Sequence, residues 1–572
     1  MLPPSWLHTW PLARWLQSYQ RHDALGDLLA GLVVAVMLIP QGMAYAFLAG
    51  LPPQMGLYAA LFPLILYALL GSSRSMAVGP VAIASLMTGE ALRHSGTDPS
   101  QWPLVAAQLA LLVGVCLLGL RLLNAASIVN FISHSVIKGF TSAAALVIAL
   151  NQLKYLLDID LPRGDFFTLI TALPNALPQS AGDAVLLSLL CLGLLWGMQN
   201  QLAPQLIRLG WPKLAAQTLA RSGPLVLILA SLVLLPFLWP QAQLAKVGAI
   251  PAGLPDWQFI VLDLGQIQAL FPSALLIALV GYLESISVAT ALASQKRERI
   301  APRQELLALG IANLGAAFTQ AYPVAGGFGR SMVNHNSGAR TTLASLLAAG
   351  VLALVVAFFT PWFADLPKVV LGAIVVMAVL PLIDISAIWQ TWAFNRADAL
   401  TLLASFLGVL FLGVELGILL GISLSIALLL KRSAQPHIAE LGRVPNSEHF
   451  RNVQRHQVQT LTQAVFLRVD ENLYFANTHY IEDKILDAVS TRPQLTDVVL
   501  VCSAVNFIDA SALESLETLI ERLAQAKVRL HLAEVKGPVS DQLAHSHLLT
   551  LLQQHQGQIF LSCYSAFCAL QK

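Results

Sequence analysis

Long apolar stretches separated by short polar breaks fill the first three quarters of the chain. Fourteen stand out, at about 28–49, 56–70, 76–92, 102–120, 127–150, 184–199, 223–239, 265–293, 305–320, 328–341, 343–361, 366–383, 398–413 and 415–430. A helix needs roughly 20 apolar residues to cross a bilayer, where its backbone groups must all be satisfied internally. The pattern therefore predicts fourteen spans. The third and tenth are short and interrupted by Gly and Pro, so neither is expected to cross alone.

After Lys431 the pattern changes. Residues 433–460 are polar, with several His, Arg and Asn, and read as a linker. From Leu461 the period alternates between strand and helix: strands are expected at 462–469, 497–502 and Arg529–Ala533, and an amphipathic helix at 511–526. Four parts follow: an N-terminal segment at 1–27, a membrane domain at 28–432, the linker at 433–460 and a soluble α/β domain at 461–572. The first segment contains Trp and Arg and is expected to lie on the membrane surface. Glu471-Asn472-Leu473-Tyr474-Phe475-Ala476 is close to a protease tag site but ends in Ala, and is read as native sequence inside a strand-like run.

Charge orients the spans. With fourteen crossings and a cytosolic N-terminus, Arg14, Arg74, Arg121, Arg208, Arg299, Arg303, Arg340, Arg396, Lys431 and Arg432 all fall on the cytosolic side. Arg93, Lys154, Arg163, Lys246 and Lys368 fall on the other, beside Asp158, Asp160 and Asp165. This is the positive-inside bias, and it places both termini and the C-terminal domain in the cytosol and the protein in the cell (inner) membrane.

Composition narrows the class further. Hydrophobic residues make up 56% and charged residues 11%, with a net charge of +2; so apolar a chain needs lipid around it, and nothing suggests nucleic acid. Five cysteines (Cys116, Cys191, Cys502, Cys563 and Cys568) show no zinc or C-x-x-C spacing. There is no G-x-x-x-x-G-K-[ST] and no H-E-x-x-H. No cofactor, metal or enzymatic activity is expected, and transport would be gradient-driven.

Several motifs together resemble one family. They are Ile39-Pro40-Gln41-Gly42-Met43-Ala44-Tyr45-Ala46, Ala49-Gly50-Leu51-Pro52-Pro53, Gly71-Ser72-Ser73-Arg74, Val78-Gly79-Pro80-Val81, Val247-Gly248-Ala249-Ile250-Pro251, Tyr322-Pro323 through Arg330-Ser331 with Asn334, and Asp509-Ala510-Ser511-Ala512. In this order they resemble the sulfate permease family, whose members carry a STAS domain after the spans. The resemblance implies a seven-plus-seven inverted repeat with core and gate domains, a homodimer, and an anion site where the third and tenth half-helices face each other.

That arrangement is physically sound. A helix N-terminus carries free N–H groups and about half a positive charge, and transporters aim such broken helices at anions. Gly79-Pro80 and Gly326-Gly327 supply the punctuation; ordinary packing by small residues would also place glycines there. Arg330 falls within a span, where a charge is costly. Its partner is expected to be an anionic substrate or Glu284, the one acid deep inside an apolar stretch; snorkelling or a permanent structural ion pair are the alternatives.

By resemblance, Glu284 is the acid tied to the coupling ion, and Gln41, Tyr45 and Val81 line the pocket beside Gly329, Arg330 and Ser331. Gln41 and Tyr45, four apart on one helix, share a face; Tyr45 also suits an interface aromatic. Gly329 stands where many relatives have Ser. Glu90, Lys138 and Glu415, near span ends, read as solvated or snorkelling. Ser511, which resembles a phosphorylatable serine of related soluble proteins, reads as a helix N-cap. The function expected is secondary active transport of a small inorganic anion, sulfate with protons first. Sodium-coupled bicarbonate, proton-coupled dicarboxylate, a passive channel or exchanger, and a membrane-tethered regulator are the alternatives.

Overall fold

The computed structural model describes residues 15, 19–127, 132–162, 166–240 and 244–571, and the chain forms two compact units, 1–425 and 426–572. Much of the N-terminal segment, with Arg14, Arg163 and Asp165, lies outside the described residues. A helix runs Arg21–Ala49, so residues 21–27 are continuous with span 1 and not a separate surface segment.

Every expected span has a helical counterpart. Among the described residues, eight helices are each long and apolar enough to cross a bilayer, and the bent pair Ala215–Arg221 with Gly223–Leu238 makes a ninth. The other five are Ala82–His94 (span 3), Pro302–Phe318 (span 9), Phe328–Asn336 (span 10), Leu343–Phe358 (span 11) and Arg396–Leu412 (span 13). At 1.5 Å per residue, the 9 residues of Phe328–Asn336 reach only about half of a ~30 Å hydrocarbon layer.

The inverted repeat is visible in the packing. Span 1 packs on span 11 as span 8 packs on span 4, and span 9 packs on span 4 as span 2 packs on span 11. Spans 1–4 and 8–11 form the core domain; in the gate domain spans 5, 6, 12 and 13 pack mainly on one another, span 7 packs on spans 1 and 6, and glycines of span 14 abut spans 5 and 13. Small residues permit the close approaches: a Cβ at Gly310 of span 9 would lie 3.3 Å from the Gly114 carbonyl oxygen of span 4. Two buried carboxylates pin loops of the core. Asp27 accepts from the N–H groups of Arg340 and Thr341 at 2.7 and 3.0 Å, and Glu305 accepts from Ser72 N–H at 2.7 Å and Tyr67 Oη at 2.9 Å.

The second unit contains a six-stranded sheet, with strands numbered after the two short strands of the membrane unit (β1, Val78–Gly79; β2, Ala325–Gly326). The order is β4 (Phe450–Asn452), β3 (Ile438–Arg443), β5 (Ala464–Val469), β6 (Asp497–Val501), β7 (Arg529–Ala533) and β8 (Ile559–Phe560). β5 to β8 run parallel, and β3 is antiparallel to both neighbours. All five residues of β6 are buried, as its Val-Val-Leu-Val run requires of a central parallel strand.

Three expectations are corrected here. The stretch 433–460 is not a plain linker: it contains β3 and β4. Three of the six residues of β3, Ala439, Leu441 and Gly442, are buried, and the run Ile-Ala-Glu-Leu-Gly-Arg carries no strict strand alternation. Residues 471–476 form a turn region touching Ile508 through Leu473, not a strand. The cap of helix Ala510–Gln525 is Asp509, whose side chain accepts from Ala512 N–H at 2.8 Å; Ser511 sits exposed in the first turn.

Candidate functional site

The site is built on two extended dipeptides. β1 pairs antiparallel with β2, Val78 opposite Gly326 and Gly79 opposite Ala325. Immediately after each, a helix begins: Ala82–His94 after its N-cap Val81, and Phe328–Asn336 after its N-cap Gly327. Because the ladder is antiparallel, the two N-termini face each other. Each presents first-turn N–H groups without a partner in its own helix.

Buried polar side chains hold the extended segments in place. Ser285 Oγ accepts from Gly326 N–H at 2.8 Å, and Asn313 accepts from Val324 N–H at 2.9 Å while donating to the Val324 carbonyl at 3.0 Å. Ser331 Oγ accepts from Ala77 N–H at 3.0 Å, and Asn334 donates to the Ser75 carbonyl at 3.0 Å. Sequence reasoning missed Ser285 and Asn313. Their signal was a fully buried polar residue inside an apolar helix, which must find a partner.

Arg330 stands in the first turn of span 10 and is 3% exposed. Nη1 donates to the Pro80 carbonyl at 2.5 Å, whereas Nε and Nη2 have no hydrogen-bond partner. Glycines give the guanidinium its room: a Cβ at Gly327 would lie 2.9 Å from Nη2, and one at Gly79 3.5 Å. Arg330 is within electrostatic range of Tyr45, Glu284 and Tyr322. Of the two partners expected for Arg330, an anionic substrate or Glu284, the acid is not in direct contact: among the described residues Arg330 has no carboxylate within 4.0 Å, and Glu284 Oε2 has no hydrogen-bond partner.

A cavity of about 1020 Å³ reaches this place, lined by Ile83, Phe328 and Glu284 at its inner end and by His134, Pro302 and Arg303 towards its mouth. The structure thus gathers Val81, Gly329, Arg330 and Glu284 around the two helix starts. Gln41 and Tyr45 are half-buried on span 1, which packs against both half-helices. Gly329 is exposed, and no atom lies within 4 Å of a Cβ placed there. Among the described residues no cluster of His, Cys, Asp and Glu could hold a metal.

The model described as the sulfate permease family matches residues 25–405. The chain belongs to the sulfate permease family. A second model, described as the STAS domain, matches residues 455–566. Sulfate transporter 4.1, chloroplastic, of Arabidopsis thaliana is 35% identical over 96% of this chain and 81% of its own. A probable sulfate transporter of Mycobacterium tuberculosis is 32% identical over 97% of each. The structure of the murine Slc26a9 anion transporter in its inward-facing state aligns with TM-score 0.85 at 23% identity, over 100% of this chain and 95% of that one. The transmembrane domain of the cyanobacterial bicarbonate transporter BicA aligns with TM-score 0.60 at 23% identity, over 71% and 98%. In this sulfate permease family member, then, the half-helices lie inside the matched region and the four parallel strands β5 to β8 inside the STAS match, while β3 and β4 precede it.

Proposed function

We propose that this protein is a secondary active transporter of small inorganic anions that carries sulfate inward with protons. The observation that carries the reading is the buried Arg330 guanidinium, with two nitrogens unpartnered, between two opposed helix N-termini beside a cavity of about 1020 Å³ lined by Ile83, Glu284 and Phe328. A cationic group in that state is costly unless an anion completes it, and the helix starts add positive potential without a mobile counter-charge. The names of the relatives support sulfate as the anion.

Coupling follows from the placement of Glu284. It lines the same cavity and lies in the field of Arg330 without bonding to it. Ionised, it offsets Arg330 and repels an arriving anion; protonated, it leaves the guanidinium and both helix starts to the anion. Proton and anion then bind cooperatively, and each strengthens the other by the same factor. Gln41, Tyr45, Val81, Gly329 and Ser331 complete the proposed pocket. The even span count and the basic loops support cytosolic termini and a cytosolic STAS domain, in a homodimer embedded in the cell membrane.

Uptake into proteoliposomes tests this reading. Sulfate should accumulate against its gradient when an inward proton gradient is imposed, and bicarbonate, succinate and chloride should not replace it. Accumulation driven by sodium instead would move the reading to bicarbonate transport. Equilibration without accumulation would make the protein a passive pathway.

A further inference from the structure

We infer that Glu415 and Ser273 form a latch that holds the face opposite the cavity mouth closed, and that this latch sets how often the site opens to that face. The inference rests on the reading of the protein as an alternating-access transporter.

The helix ends that line the cavity are those of one face. His134 begins span 5, Pro302 and Arg303 begin span 9, and Ser294 ends span 8; all four line the cavity. By the span count these ends lie on the same face. The other face is where span 3 ends, span 8 begins and span 14 begins. There the carboxylate of Glu415, in the first turn of span 14, accepts a hydrogen bond from Ser273 Oγ of span 8. Ser273 is 6% exposed, and among the described residues no cation pairs with Glu415. This acid, which the sequence suggested was solvated, is bound across the boundary between gate and core.

A second contact lies at the same end. Gly413, with φ 87°, turns the chain between spans 13 and 14, and a Cβ there would sit 3.6 Å from Glu90 Oε1 of span 3. Glu90 is itself held by Arg93. The start of span 14 therefore lies against span 8, which carries Glu284, and span 3, one of the two half-helices. Ser273 is eleven residues before Glu284 on span 8, about 16 Å along the helix, and Glu90 is eight residues after Ala82 on span 3, about 12 Å. Any movement of the core that exposes the site to this face must part span 14 from both, and the Ser273–Glu415 bond is the polar contact it breaks. A bond made in one state and lost in the other biases the equilibrium between them by its differential strength.

The test reads accessibility and needs no knowledge of the transported anion, so its outcome is separate from that of the uptake experiment. In a full-length background with the five cysteines replaced, Gly329→Cys reports exposure of the site and Ser287→Cys reports the cavity wall. A membrane-impermeant thiol reagent is applied to either face of vesicles of defined orientation. Glu415→Ala and Ser273→Ala should each raise labelling of the Gly329→Cys reporter from the face opposite the cavity mouth by about tenfold or more, as expected for loss of one charge-assisted bond. Labelling of the Ser287→Cys reporter from the mouth should not rise. The double variant should add nothing beyond either single variant, because both remove the same bond. Unchanged labelling from the opposite face in both single variants would overturn the inference. So would a rise of both reporters from both faces, which marks a loosened fold.

Discussion

Replacing Arg330 with Ala removes the one guanidinium at the half-helix junction, and the structure sets the size of the effect. Nη1 is committed to the Pro80 carbonyl, so an anion meets Nε and Nη2, the edge that has no partner in the protein. Losing a hydrogen bond to a charged group costs about 1.5–3 kcal/mol, or roughly 10- to 150-fold in affinity. The fold should suffer less. The variant orphans the Pro80 carbonyl, but it also removes a buried cation with two unsatisfied donors, and these changes oppose each other. Arg330→Lys keeps the charge without the planar fork; a lysine cannot serve both Pro80 and an anion edge, so its affinity should fall between the two. The assay is equilibrium binding of radiolabelled sulfate to purified protein, paired with thermal unfolding with and without sulfate. Wild type should gain stability from sulfate by mass action and Arg330→Ala should gain much less. A folded Arg330→Ala protein that binds sulfate as tightly as wild type would refute the reasoning.

Glu284→Gln, a fixed neutral side chain, should still bind and exchange sulfate but lose accumulation driven by a pH gradient; paired uptake and counterflow measurements read both. Gly329→Ser should fold normally, since the added atoms meet open space, and should change the sulfate KM through the new hydroxyl, as thermal unfolding and uptake kinetics will show. In the STAS domain, burial pushes the Asp497 carboxyl up, but hydrogen bonds from His531, Arg529 and Thr496 outweigh it and hold the group at about 2. Its folded value lies below the unfolded value of about 3.9, so its stabilisation is present above about pH 4 and is lost as pH falls through about 2. Asp497→Asn should accordingly speed hydrogen exchange across Arg529–Ala533 in the full chain at neutral pH, by about 1–3 kcal/mol of local stability, with the difference from wild type shrinking towards pH 2.

Much of the membrane domain was legible because lipid imposes a simple rule: each crossing must be an apolar helix. All fourteen stretches recur as helices, and the broken third and tenth were marked by Gly79-Pro80 and Gly326-Gly327. The ladder joining them was not legible. Two residues on each side carry no period, and their pairing joins positions about 250 apart in the chain. Arg330 was recognisable as a buried charge needing a partner. That the protein itself satisfies only one of its nitrogens, through a carbonyl, depends on backbone geometry no side-chain pattern records. Glu415 was misread for a related reason: its partner Ser273 is an unremarkable residue on a distant helix. In the STAS domain, the buried strands β5, β6 and β7 were legible from their runs of Val and Leu. β3 was not, because only three of its six positions are buried and two of those are Ala439 and Gly442, and Asp509 was passed over for Ser511 although either suits a cap.

The central claim is that the anion sits between the two helix starts at the free edge of Arg330. Selenate, a sulfate analogue with a strong anomalous signal, locates it directly in crystals of the protein grown with that anion. The account predicts one dominant selenium peak within hydrogen-bonding reach of Arg330 Nε and Nη2 and of the first-turn N–H groups that follow Val81 and Gly327, and its disappearance in Arg330→Ala crystals. A dominant peak elsewhere, for instance at Arg303 by the cavity mouth, that persists in Arg330→Ala would contradict it.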